Sequence, residues 1–405
     1  MKLHNGSLYW PTTLDTPVAT NTAKIAPHYD VIVVGGGMSG ALTAYTLAKE
    51  GMTVAVIDKR AMAHGSSSAN TGLLQYANDI MLHELIAQIG EQDAVNFYRE
   101  CQQAVQQLHD VARTLPIDPH FIMRKSICYA SDDSHVAKVQ KEYETLRQYG
   151  FAADYWDAND VAKHMPFTKP AALVTYGDAE VNPYRFVHGI FYKLAQEGVH
   201  LFEGVEALQT ESSSQGVELT TSIGSFYASS VVYATGYDSN PMQSYVGSDI
   251  NRSYAIATAP IADLSQWEDR AMIWETKRPY FYMRTTVDHR IIAGGLDEDS
   301  PEAPHDEAWI ADRGKRIVEE LQRLFPSLSL TIDYAWGASF GESVDNLPFI
   351  GRHPDKPHLY YLFGYGGNGT VYSMIGATLL RDELLGQPRH DLACIDLNRN
   401  YAKHS

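Results

Sequence analysis

Few folds accommodate the stretch at residues 29–40, Tyr-Asp-Val-Ile-Val-Val-Gly-Gly-Gly-Met-Ser-Gly. Val31, Ile32, Val33 and Val34 form the short apolar run of a strand buried in a parallel sheet. Gly35, Gly37 and Gly40 then give Gly-x-Gly-x-x-Gly at the head of a helical segment, residues 41–49. In this motif the first glycine permits a tight turn, the second lets a pyrophosphate approach the backbone, and the third lets helix and strand pack closely. The helix start offers free N–H groups to phosphate, with Met38 and Ser39 in the turn. Ala41, Ala44 and Ala48 keep one helix face narrow, and Gly51 stops the helix. Residues 53–57 give a second apolar strand, and Asp58 stands at its end. An acid there, roughly 20 residues past the glycines, accepts hydrogen bonds from a ribose 2′-OH. Strand, turn, small-faced helix, strand and terminal acid together specify a dinucleotide-binding unit.

The chain has 405 residues, enough for two or three domain-sized units, and its 44% hydrophobic and 20% charged residues are those of a globular protein. A net charge of −17 argues against nucleic acid and against an anionic membrane surface as partners. No apolar run approaches a membrane span, and residues 1–21 do not read as a secretory signal. Cys101, Cys128 and Cys394 are widely separated, which suits a reducing cytoplasm and gives no metal-binding spacing. No metal site is expected, and the sixteen histidines include no His-Glu-x-x-His.

Residues 1–28 read as an irregular arm broken by prolines, either pinned to the body by Tyr9-Trp10-Pro11 or disordered. After Lys59 and Arg60 comes His-Gly-Ser-Ser-Ser-Ala-Asn-Thr-Gly-Leu-Leu, residues 64–74. Small hydroxyl residues between Gly65 and Gly72 read as a loop that wraps a polar ligand. Residues 80–115 read as one long helical stretch, 120–130 as a strand and 136–149 as a helix. Asn182-Pro183-Tyr184 opens a helix over 185–196, followed by a strand at 199–202. A buried strand ends in Ala234-Thr235-Gly236, where small residues admit a ligand. Residues 254–295 alternate in the manner of antiparallel sheet, 307–325 is an amphipathic helix, and 359–363 is a strand. The loop Gly364-Tyr365-Gly366-Gly367-Asn368-Gly369 then starts a last helix at Thr370.

In that order, these four features resemble the FAD-dependent amine and amino-acid oxidoreductases of the D-amino-acid oxidase, glycine oxidase and sarcosine oxidase group, near γ-glutamylputrescine oxidase-like members. The features are the unit ending at Asp58, the 65–72 loop, the 234–236 strand end and the 364–369 loop. The resemblance implies an α/β fold: a Rossmann-type FAD-binding domain with a second domain built on a mostly antiparallel sheet with helices. The expected division is an arm over 1–28, a discontinuous FAD-binding domain over 29–100, 171–240 and 335–390, and a substrate-binding domain over 101–170 and 241–334. It further implies Gly35, Gly37, Met38, Ser39 and Gly40 at the pyrophosphate, Asp58 at the ribose, and Lys59, Arg60 and Val205 at the adenosine. Gly65, Ser66, Ser67, Asn70, Thr71, Gly72 and Leu73 would run along the ribityl chain and flavin edge. Ala234, Thr235, Gly236, Gly341, Gly366, Gly367, Asn368, Gly369 and Thr370 would complete the cofactor site. The implied reaction is oxidation of a C–N bond by hydride transfer to the flavin, with hydrolysis of the imine and reoxidation by O2. Alternatives are a dehydrogenase with a quinone or protein acceptor, and a flavin-binding assembly factor without turnover.

The chain departs from that pattern where relatives hold a substrate carboxylate. Those positions read Phe340, Gly72 and Val371, and the oxygen-activating lysine of sarcosine oxidases aligns near Ile292. The covalent-flavin cysteine falls at about Ala338, so FAD is expected to be non-covalent. Candidate pocket residues are Gln75, Tyr282, Arg284, Phe340 and Tyr365, with Arg284 available to a remote carboxylate. A mainly apolar and aromatic pocket for a small-molecule amine or amino-acid-like substrate is the expectation. No single side chain is assigned as catalytic.

Overall fold

The apolar run ahead of the glycine motif forms the strand Tyr29–Val34, with Ile32 and Val33 fully buried. The computed structural model describes residues 3–17, 24–237, 248–299, 306–364 and 366–399. Parallel neighbours flank that strand: Val54–Asp58 on one side and Gly224–Tyr233 on the other. His200–Glu203 extends the parallel set beyond the first, and Leu359–Phe363 beyond the second. Phe349–Arg352 pairs antiparallel at the edge, and the hairpin Ala207–Ser213 with Gly216–Thr221 hangs from Gly224–Tyr233. Helices Met38–Lys49 and Gly369–Leu384 pack against each other. Buried Ala41, Gly40 and Ala44 keep the first of them thin enough to sit closely on its neighbours.

A ten-stranded, largely antiparallel sheet forms the rest of the framework. Its order is His4–Gly6, Ile332–Ser343, Ser248–Thr258, Ile291–Glu298, Tyr282–Thr285, Met272–Glu275, Ile122–Tyr129, Ala171–Glu180 and Leu73–Leu74, and Ala153–Asp157 also pairs with Ala171–Glu180. This is the α/β architecture the glycine motif and the alternating segments imply.

Two features differ from the sequence reading, and one of its alternatives, the pinned arm, is the one observed. The stretch 80–115 holds two helices, Leu82–Ile89 and Glu91–Ala112, because Gly90 breaks them with φ +90°. The arm is part of the body: His4–Gly6 is a strand, and the Trp10 indole is buried and donates to the Asn70 carbonyl at 2.6 Å. Ala171–Glu180 and, from residue 335 on, Ile332–Ser343, expected with the nucleotide unit, are strands of the larger sheet.

Candidate active site

The carboxyl ends of the parallel strands open into a cavity of about 550 Å³. Gly35, Asp58, Lys59, Arg60, Val205 and Thr235, all named from the sequence, line it, and Lys356 joins them. Gly35 has φ +119°, and a Cβ there would run into the Ala234 carbonyl oxygen, so no larger residue makes this turn. The Asp58 carboxylate accepts the N–H groups of Gly36 and Arg60, each at 2.7 Å. Burial raises its pKa, while those N–H groups and the charge of Arg60 pull the other way. Ala234 and Gly236 are not among the residues that line the cavity.

At the first turn of the helix Met38–Lys49, the Met38 N–H donates to Ser67 Oγ at 2.8 Å. Ser39 Oγ lies 2.7 Å from Ser373 Oγ, which brings the start of the last helix to the same place. The serine loop thus crosses the helix N-terminus, beside Gly37, whose Cβ position is 3.1 Å from Ser67 Oγ.

Beyond this crossing lies a second cavity, of about 170 Å³. Ser66, Asn70, Thr71, Leu73 and Gln75 line one side, and Gly366, Gly367, Asn368 and Gly369 another. Tyr282, Ala338 and Phe340 also line it. Hydrogen bonds lock the walls together: Asn368 Nδ2 to the Gln75 carbonyl at 2.6 Å, the Gly367 N–H to Asp79 Oδ2 at 2.8 Å, and the Gly366 N–H to the Gly341 carbonyl at 2.7 Å. Asn70 Oδ1 accepts the Gly72 N–H at 2.7 Å, and its Nδ2 reaches Thr370 Oγ1 at 3.5 Å. Tyr365 lies outside the described residues.

Residues the sequence reading passed over complete this cavity: Asn78, Asp79, Ser253, Trp274, Tyr280, Asp297 and Ser339. Among the described residues that line it there are two aspartates and no lysine, arginine or histidine. The expectation of a mainly apolar and aromatic pocket is therefore half correct, because the aromatic walls also carry carboxylates. Burial pushes the Asp297 pKa up to about 6, with Ser253 hydrogen-bonding the carboxyl group. Glu342 is also raised by burial, with the charge of Asp79 adding to the effect. The sequence signal for Asp297 was its place two residues beyond Gly295, but a bulge there hides which face it takes.

Arg284, proposed from the sequence for a remote carboxylate, is placed elsewhere. It is buried, and its guanidinium donates to the carbonyls of Thr71, Thr285 and Val181 at 2.8, 3.1 and 2.6 Å. Glu180 lies 3.7 Å away, and the Trp10 ring is under the guanidinium at 5.1 Å. A Cβ on Gly72, which has φ +75°, would collide with this guanidinium, so Arg284 fills the space that a side chain at 72 would take.

Both cavities present polar groups that await a ligand. Thr235 Oγ1 in the first and Ser66 Oγ in the second are buried without a hydrogen-bond partner. A long dinucleotide whose phosphates lie at the helix N-terminus satisfies both, which fits FAD. The family model described as FAD dependent oxidoreductase matches residues 30–383. The chain belongs to that family. It is an FAD-dependent oxidoreductase, and FAD is its cofactor.

Among its relatives is glycine oxidase from Geobacillus kaustophilus, 24% identical, with 93% of this chain and 98% of the relative covered. Another is the γ-glutamylputrescine oxidoreductase of Escherichia coli, 24% identical over 94% of this chain and 89% of that protein. The crystal structure of the Geobacillus kaustophilus glycine oxidase superposes with a TM-score of 0.79 at 21% identity, covering 93% of this chain and all of that one (100%). No helix among the described residues is long and apolar enough to cross a membrane. Among the described residues no group of three or more histidine, cysteine or acidic side chains is placed to hold a metal ion.

Proposed function

We propose that this oxidoreductase oxidises the C–N bond of a small amine or amino-acid-like substrate, in the second cavity, with non-covalently held FAD. The observation that carries this reading is the way the serine loop links two cavities. Gly35 lines a nucleotide-sized cavity at the strand ends, and the serine loop meets the adjoining helix N-terminus through Ser67. Ser66 of the same loop lines the second cavity, walled by the first and last glycine loops. The relatives named for glycine and γ-glutamylputrescine support an amine nitrogen as the group acted on.

In this reading Gly37, Met38, Ser39 and Gly40 hold the pyrophosphate through backbone N–H groups, and Asp58 accepts the ribose hydroxyls. Lys59, Arg60 and Val205 border the adenosine. Ser66, Ser67, Asn70, Thr71 and Gly72 would hold the flavin edge, together with Gly341 and residues 366–370. When bound, the flavin supplies the hydride acceptor for C–N oxidation, and water hydrolyses the resulting C=N bond. The chain's own task is positioning and exclusion of water. Gln75 donates through Nε2 to Ser126 Oγ at 3.2 Å, which leaves its carbonyl oxygen to accept a substrate N–H.

Oxygen is the proposed electron acceptor. Ile292, at the position of the sarcosine-oxidase lysine, is fully buried, which favours a dehydrogenase with another acceptor as the second reading. The test is a panel of amines and amino acids mixed anaerobically with the flavin-loaded protein, followed by bleaching of the flavin absorbance. Readmission of air with measurement of hydrogen peroxide then separates the two acceptors. A panel in which no amine bleaches the flavin would overturn the reading.

A further inference from the structure

Two aspartates and five aromatic side chains line the second cavity, and their chemistry bears on the charge of what enters it. Trp274, Tyr280 and Tyr282 are three of these aromatic residues. The Trp274 and Tyr280 centroids are 6.5 Å apart at 74°, and those of Tyr280 and Tyr282 are 5.7 Å apart at 55°. These inclined rings all border the cavity, and an aromatic face within reach of it can hold an ammonium group. Arg278 shows the capacity directly, its guanidinium lying 4.5 Å from the Tyr280 centroid.

The carboxylates are not equivalent. Asp79 is committed to the Gly367 N–H at 2.8 Å and to Arg278, whose guanidinium lies 3.8 Å from its carboxylate. Asp297 has a buried oxygen, Oδ1, without a partner. Ser339, only 2% exposed and in the same cavity, likewise has a hydroxyl without a partner. An orphaned carboxylate oxygen and an orphaned hydroxyl beside an aromatic enclosure match a ligand that brings positive charge and N–H or N-alkyl groups.

We propose that this site takes amines as their ammonium cations, without a carboxylate on the reacting carbon, held by Asp297 within the Trp274, Tyr280 and Tyr282 enclosure. This rests on the amine-oxidoreductase reading and narrows its substrate class. A substrate carboxylate placed here meets Asp297 and Asp79 with no lysine, arginine or histidine among the described lining residues, a like-charge approach in a half-buried space. A carboxylate-free ammonium meets the opposite situation: it adds a positive charge beside Asp297, which already feels that of Arg278.

The experiment is calorimetric titration of the FAD-loaded protein with tetramethylammonium chloride and, in parallel, with sodium acetate. The cation is expected to bind and acetate not to. Asp297→Asn is expected to weaken cation binding about tenfold or more, which is a loss of at least about 1.4 kcal/mol. Trp274→Leu, which leaves the carboxylates in place, is expected to weaken it several-fold and serves if the first variant does not load FAD. Acetate binding as tightly as the cation, or cation affinity unchanged in the variants, would overturn the proposal. In the anaerobic panel, glycine or sarcosine reducing the flavin faster than carboxylate-free amines would overturn it while leaving amine oxidation standing. Failure of every amine would sink the broader reading, with the titration still deciding the charge preference.

Discussion

Ser253 stands opposite Asp297 across a one-residue β-bulge. Arg252 pairs with Glu298 and Tyr254 with Gly295, so the single residue Ser253 faces both Leu296 and Asp297. Leu296 takes φ +60° to make this possible. The extra residue breaks the alternation of the strand and brings an acidic side chain into the cavity lining. A bulge beside a site is a device for aiming one side chain, and its backbone strain is stored where function uses it.

That placement makes Asp297 a source of instability at neutral pH. Its folded pKa of about 6 lies above the value of about 3.9 for an exposed aspartate. Between those values the folded chain holds more of the proton than the unfolded chain. Stability contributed by this group therefore falls as pH rises through the window and is lowest above it. Asp297→Asn is expected to stabilise the protein by on the order of 1 kcal/mol at about pH 7.5, with the gain vanishing near pH 4. Thermal melts of both proteins across that range check it. A variant less stable than the parent at the higher pH would contradict the assignment of the burial penalty to this carboxyl.

The mode of cofactor attachment gives a second expectation. Cys101 and Cys128 are buried and Cys394 is partly buried, and none of the three lines either cavity. Acid precipitation should therefore release all the flavin into the supernatant. Gly37→Val should give a folded but colourless protein, since the added side chain occupies the space between the helix N-terminus and Ser67 Oγ. Circular dichroism separates loss of flavin from loss of fold. Yellow colour retained in the pellet, or full flavin in the variant, would count against this description of the loop.

The nucleotide half of the molecule was legible because its chemistry is local. One strand, one glycine turn and one acid at fixed spacing specify the Asp58 end of the site, and Gly35 admits no alternative. The substrate half depends on pairings far apart in sequence. Tyr282 could be named from the alternation of its strand, but Trp274 reaches the site from a neighbouring strand and Asp79 from a loop. Asp297 was hidden by the bulge, since period-2 reasoning fails where a residue is inserted. Arg284 shows the opposite error. An arginine on a sheet face reads as solvent-seeking or ligand-seeking, and only the fold reveals three backbone carbonyls waiting for it.

Trp10 ties the N-terminal arm to the flavin loop. Its indole is 2% exposed, donates to the Asn70 carbonyl, and lies beneath Arg284. Trp10→Ala removes a large buried ring and is expected to cost about 3 kcal/mol, within the range for such core truncations. Because Asn70 also orients the Gly72 N–H, the variant should hold FAD more weakly as well. Denaturant unfolding and flavin dissociation measure the two effects separately. Wild-type stability in the variant would show that the arm is not a structural member.

Arg284 provides the sharpest separation between a structural and a substrate role. Its guanidinium joins the Thr71 carbonyl of the flavin loop to the Val181 carbonyl and faces Glu180 inside the protein. Burial lowers its pKa, while Glu180 pulls in the opposite direction. Removing the guanidinium strands three buried carbonyls, while Glu180 keeps Arg124 at 3.0 Å, and leaving buried acceptors unpaired costs roughly 3 kcal/mol in sum. Arg284→Ala should therefore lose stability and flavin retention together. In whatever fraction remains loaded, the ratio of flavin reduction rates between carboxylated and carboxylate-free amines should match the parent. Arg284→Lys restores one charge but not the planar set of donors, so it should recover stability only in part. A selective loss of reduction by carboxylated amines, with stability intact, would return Arg284 to the substrate.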